Sequence, residues 1–106
     1  MAADVIRLAG RMRGPGSRAV ADQLVRAAES VPANIAEGFG RCLSTDGARY
    51  LVIARASAAE LESHIRVAER SGLVAPDVAH GLIIRIRFAR FLTHRLHASV
   101  IRRSRK

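Results

Sequence analysis

Apolar residues recur at intervals of three and four along almost the whole of this 106-residue chain, and breaks containing glycine or proline interrupt them at three places. Such spacing lines up apolar side chains on one face of an α-helix, because 3.6 residues complete a turn. Val20, Leu24, Ala27, Val31 and Ile35 make one stripe, and Leu51, Ala54, Ala58, Leu61, Ile65 and Ala68 make another. The first break is Gly14-Pro15-Gly16, followed by Ser17 as a candidate N-cap. The second runs from Gly38 to Asp46, where two glycines end one helix and Ser44, Thr45 or Asp46 caps the next. The third is Ser71 to Pro76, with Gly72 suited to a C-terminal cap and Pro76 to a first turn. The expected helices cover about 2–13, 18–38, 46–71 and 76–103.

Composition agrees with closely packed helices. Apolar residues make up 49% of the chain but aromatics only 4%, and there is no Trp, so a core must come from Ala, Leu, Ile and Val. A sheet favours β-branched and aromatic residues with frequent turn signals. The length suits one domain over residues 1–106, burying about two-thirds of the surface the unfolded chain exposes. Cys42 stands alone, which excludes an intrachain disulfide and suits a reduced, intracellular protein. Residues 1–13 lack the apolar core of a signal peptide, and no run approaches the ~20 apolar residues of a membrane span. A cytoplasmic protein without membrane contact is the expectation.

Eighteen basic residues face nine acidic ones, a formal charge of +9, and every basic residue except Lys106 is arginine. The guanidinium fork binds phosphate bidentately and stacks on bases, which lysine does not. The excess is segregated: no acidic residue occurs from Val78 to Lys106, where Arg85, Arg87, Arg90, Arg95, Arg102, Arg103, Arg105 and Lys106 lie. A helix C-terminus attracts cations through its dipole, which accounts for the Arg102 to Lys106 end but not for Arg85 to Arg95. Those positions point to an external polyanion, and Arg85, Arg87, Arg90, Arg95, Arg102 and Arg103 are the candidate nucleic-acid-binding residues.

The fourth helix is also unusual in its apolar residues. Leu82, Ile86, Ala89, Leu96 and Val100 form one stripe, while Ile84, Phe88 and Phe91 form a second, displaced around the helix. Either the second stripe packs on a neighbouring subunit or the helix is central within the monomer. On the third helix, Glu62 with Arg66 and Asp46 with Arg49 read as pairs along a solvated face.

Catalytic patterns are missing: there is no Walker-type glycine loop, nucleophile elbow or cysteine pair for zinc. Glu60 and Glu62 point to different faces of a helix, so they cannot act on one substrate. His94 and His97 share a face but have no acidic neighbour to complete a metal site. The expectation is a non-enzymatic protein with no metal and no cofactor. Asn34 and Glu37 follow Pro32 within a helical pattern, where a proline costs roughly 3 kcal/mol and frees a carbonyl one turn earlier, near Ala28. Pro32, Asn34, Glu37 and Gly38 are therefore read as a structural motif. Asn34, an arginine or water satisfies the freed carbonyl, and Glu37 pairs with an arginine on the third or fourth helix.

The segment Ser30-Val31-Pro32-Ala33-Asn34-Ile35-Ala36-Glu37-Gly38-Phe39-Gly40-Arg41 resembles the signature of the four-helix-bundle family named for proteins encoded in intervening sequences of bacterial 23S rRNA genes. Ala59-Glu60-Leu61-Glu62 and Ala68-Glu69-Arg70-Ser71-Gly72-Leu73 are similar to its later motifs, in order, so the resemblance covers roughly residues 18–100. The first helix departs from the family, which has a longer one with an aromatic segment. The resemblance implies an antiparallel up-and-down four-helix bundle assembled into a ring-shaped homo-oligomer, typically a pentamer. A subunit contact at Ile84, Phe88 and Phe91 would follow. A related branch comprises accessory proteins of diversity-generating retroelements, basic pentamers that bind a reverse transcriptase and nucleic acid. The function implied is nucleic-acid binding, RNA or DNA, by an oligomer; the alternative is an accessory subunit of a reverse transcriptase within a ribonucleoprotein.

Overall fold

A computed structural model describes residues 1–41 and 45–104, and in it the chain folds into four α-helices: α1 (Ala2–Arg11), α2 (Ser17–Gly40), α3 (Thr45–Arg70) and α4 (Pro76–Ser104). No strand occurs among the described residues. Residues far apart in sequence meet in reverse order: Ser30 with Ser57 and Gly38 with Gly47 between α2 and α3, and Glu62 with Arg87 and Leu51 with Val100 between α3 and α4. Sequential helices are therefore antiparallel and wind up and down in an elongated body of 53 × 20 × 17 Å.

The core contains the residues the periodicity selects. Leu24, Ala27, Ala28 and Val31 of α2 meet Ala58, Leu61, Ile65 and Ala68 of α3 and Ala79, Leu82, Ile83 and Ile86 of α4, with Val5 entering from α1. Towards the far end Ala48, Leu51 and Val100 form a second cluster, flanked by Leu96 and Ile101. The many alanines let backbones approach closely, so this core needs no aromatic filler.

Most punctuation acts as its chemistry dictates, with three corrections. Gly72, at φ +77°, ends α3. The Leu73 and Gly72 amides donate to the carbonyls of Ala68 and Glu69, and Leu73 packs back on the core. Pro76 opens α4, where its missing N–H costs nothing. Ser17, however, does not cap α2; it is the first helical residue, and Gly16, at φ +78°, takes the cap position. Helix α1 stops at Arg11, with Met12 already extended.

The third correction concerns Gly38, which does not end α2: the helix runs through it and has Gly40 as its last residue. A Cβ on Gly38 would lie 2.7 Å from Leu51 Cγ and Cδ2 and 3.0 Å from the Gly47 carbonyl oxygen. Gly47 is closer still, because a Cβ there would collide with the Arg41 carbonyl. Glycine is required here by the approach of α2 to α3, not by a turn. The candidate cap Ser44 lies outside the described residues, as do Cys42 and Leu43.

Gly38→Ala and Gly47→Ala should both lower the midpoint of chemical unfolding, overpacking typically costing about 1–3 kcal/mol. Gly47→Ala should cost more, because Leu51 can rotate and the Arg41 backbone cannot. Gly81, with no atom within 4 Å of an added Cβ, is the control. Gly81→Ala should be neutral or stabilising by up to about 1 kcal/mol, since alanine is the better helix former.

Candidate nucleic-acid interface

The structural motif lies on the seam between α2 and α3. Asn34 Nδ2 donates to the Ser30 carbonyl at 2.7 Å and to Ser30 Oγ at 2.9 Å, and Ser30 Oγ is 2.7 Å from Ser57 Oγ on α3. The short Asn side chain thus serves the carbonyl one turn behind itself, at Ser30, rather than the one near Ala28. Pro32 sits on the exposed face while its neighbour Val31 is buried. Glu37 also departs from expectation, pairing at 3.3 Å with Arg41 just beyond its own helix. Arg41 reaches Asp46 at 3.8 Å and lies 5.2 Å from the centre of the Tyr50 ring. Glu37 therefore holds the end of α2 indirectly, through the residue that α3 grips.

Helix α4 carries the other candidates. With 100° between successive residues, Ile84, Phe88, Phe91 and Arg95 lie near one outward line, opposite the buried Ile86 and Thr93. Ile84, Phe88 and Phe91 are 55%, 61% and 49% exposed, which excludes a place at the centre of the monomer. Arg87, Arg90 and His94 lie on the flank towards α3, and Arg85 and Leu92 on the flank towards α1.

The structure supplies the acid that α4 lacks beyond Asp77 in its first turn. Arg85 donates to Asp4 of α1 at 2.7 Å, and Asp4 also accepts from Arg7. Arg87 grips Glu62 of α3 through two bonds, of 3.2 and 2.9 Å, and Arg90 stands 3.7 Å from the same carboxylate. The side chain of Glu62 is only 17% exposed, so it is not part of a solvated face. Arg66 pairs instead with Glu69 at 3.7 Å. Hydrogen bonds from Arg85 and then Arg7 hold the Asp4 carboxyl below the usual carboxylate range. The bonds from Arg87 do the same for Glu62 against an opposing effect of burial, and Glu62 in turn raises the pKa of Arg87. Glu60 diverges from Glu62 towards His64, at 3.5 Å.

The sequence candidates therefore separate. Arg87 and Arg90 come together with Arg55, Phe91 and His94 around an open depression of about 300 Å³. Arg85 lies on the other flank, where it lines a largely apolar cleft of about 380 Å³ together with Met1, Ile84, Phe88, Ala89 and Leu92. Arg95 places its guanidinium 5.8 Å from the centre of the Phe91 ring. Arg102 and Arg103 extend the exposed basic surface into the last turn of α4. Among the described residues, no carboxylate stands within ion-pair distance of Arg55, Arg95, Arg102 or Arg103.

Arg55 is the site residue that sequence reading missed. Its signal was present: it borders the buried stripe of α3 and has no acidic residue three or four positions away. Its effect reaches His97, whose pKa is lowered by burial first, then by the charge of Arg55 and by His94.

These features define the class: a basic all-α bundle of four antiparallel helices. Residues 1–90 match the family model described as 23S rRNA-intervening sequence protein, and the chain belongs to that family. Comparison with curated proteins finds no match. Among the described residues, no helix is long and apolar enough to cross a membrane.

The depressed pKa of His97 means that the unfolded chain takes up this proton first. The His97 contribution should be complete above about pH 6.5 and be lost as pH falls through the lower folded pKa. Melting midpoints between about pH 7.5 and 5.5 should fall for the native protein, and the fall should be smaller for His97→Gln.

Proposed function

We propose that this protein binds nucleic acid, RNA or DNA, through its phosphate backbone as a homo-oligomer, and that it has no catalytic role. The observation that carries this reading is the surface that remains after internal pairing. Arg95, Arg102 and Arg103 project from the stretch of α4 beyond Asp77, which carries no acid, and beside them Arg55, Arg87 and Arg90 gather around a depression where Glu62 is shared by two of them. The family's association with 23S rRNA intervening sequences points towards RNA. Asn34 and Glu37 are occupied with Ser30 and Arg41, which leaves them a structural rather than chemical task.

Assembly into a ring, a pentamer by the family resemblance, would bring several such surfaces onto one strand and multiply weak contacts. The exposed Ile84 and Phe88, in their apolar cleft with Met1 and Leu92, are the proposed subunit contact. The same cleft supports the second reading, an accessory subunit that docks on a reverse transcriptase. Co-purification with such an enzyme, abolished in Phe88→Glu while nucleic-acid binding persists, would favour that reading.

Affinity for a polyanion should fall steeply with salt. Replacing Arg95, Arg102 and Arg103 by Ala should reduce the slope of log K against log salt by about 0.7–0.9 for each phosphate that is no longer neutralised. An unchanged slope would overturn the reading. Glu62→Gln should tighten binding at fixed salt, because it removes the internal competitor for Arg87 and Arg90, while lowering the thermal midpoint. For the assembly, Ile84→Glu with Phe88→Glu should reduce the native mass to that of a single chain without unfolding the helices, as measured by native mass spectrometry and circular dichroism.

A further inference from the structure

The outward apolar line of α4 is two surfaces, not one. Ile84 and Phe88 line the apolar cleft shared with Met1, Ala89 and Leu92. Phe91, one turn along, lines the depression of Arg55, Arg87, Arg90 and His94 and has the Arg95 guanidinium 5.8 Å from its ring centre. A ring left 49% exposed among cations forgoes the gain from burial, about 25 cal/mol per Å². Its natural occupant is flat and apolar on its face and anionic at its edges.

A second copy of this chain fits that description poorly. Each copy carries a net charge of +9, so a neighbouring copy brings a net positive charge towards Arg55, Arg87 and Arg90. A nucleotide fits it well. Its base presents a π-face to Phe91, and its phosphates meet guanidinium groups that neighbouring carboxylates leave incompletely neutralised. In a duplex the base faces are covered by stacking, so the ring reaches only an unpaired base. Phenylalanine has no edge-reading donor or acceptor, and neither Asn nor Gln lines the depression, so recognition should tolerate any base.

We infer that Phe91 is a base-stacking platform and that the protein selects single-stranded over duplex nucleic acid, an unpaired base resting on Phe91 between Arg55, Arg90 and Arg95. This inference rests on the nucleic-acid reading of the basic surface and narrows its substrate class.

Fluorescence anisotropy with labelled 20-nucleotide oligo(U) and oligo(dT), and with a duplex of equal length, tests it on the intact protein. The native protein should bind the single strands more tightly than the duplex. Phe91→Ala and Phe91→Leu should each weaken single-strand binding by roughly 5- to 100-fold, while Phe91→Tyr keeps it. Duplex affinity and native mass should not change in any variant. Since the chain has no Trp, Phe91→Trp supplies a single indole whose emission should be quenched on saturation with single strand. Full affinity in Phe91→Leu, or an unquenched indole, would overturn the stacking role. A loss of native mass in Phe91→Ala would instead place Phe91 in a subunit contact and overturn it as well. Failure of the native protein to bind either probe would remove the nucleic-acid reading itself, whereas equal binding of both would remove only the single-strand preference.

Discussion

The seam between α2 and α3 is the contact on which the other helices depend, because α1 packs on α2 and α4 packs on α3. Two kinds of chemistry hold it. At its middle, Asn34 orients Ser30 and Ser30 meets Ser57, so partly buried hydroxyl groups satisfy one another across the helices. Towards its far end, Gly38 and Gly47 bring backbones into contact, and the buried Leu51 fills the space beside Gly38. The hydrogen bonds add about 1 kcal/mol each. Their larger effect is on register, since a slip of the seam would strand the serines and drive a side chain into a carbonyl.

Register across the seam, and across the next one, decides the electrostatics. Glu62 reaches Arg87 and Arg90 only because α3 and α4 run antiparallel at this offset. Asp4 reaches Arg85 by the same geometry on the α1 side. These pairs join helices at exposed or partly exposed positions, where solvent screens the charges and an ion pair adds little to stability. Their consequence is functional: they divide the arginines of α4 into those engaged within the bundle and those offered to solvent. Arg55 comes from α3 to join the second group, so the basic surface belongs to two helices rather than one.

Apolar groups are divided in the same way. On the flank of α4 that faces α1, Ile84, Phe88, Ala89 and Leu92 line a largely apolar cleft with Met1 and Arg85. Phe91 turns to the other side, into the arginines. Two phenylalanines three positions apart thus meet surroundings of opposite character, one suited to a protein surface and the other to a charged, planar ligand.

The sequence by itself determined the four helices and most of the core, from Leu24 and Val31 through Leu61 and Ile65 to Ile86, because helical periodicity and Gly or Pro breaks act within a few residues. It also marked Asn34 and Pro32 as structural and the stretch of α4 beyond Asp77 as lacking acid. It could not tell that Gly38 is a contact rather than a stop, since a close approach looks the same as a cap until the second helix is placed. Nor could it assign Glu62 to Arg87 instead of Arg66, recruit Arg55, or separate Phe88 from Phe91. Each of those depends on the offset between helices whose contacting residues lie more than twenty positions apart, which the packing of whole buried faces decides and no local pattern records.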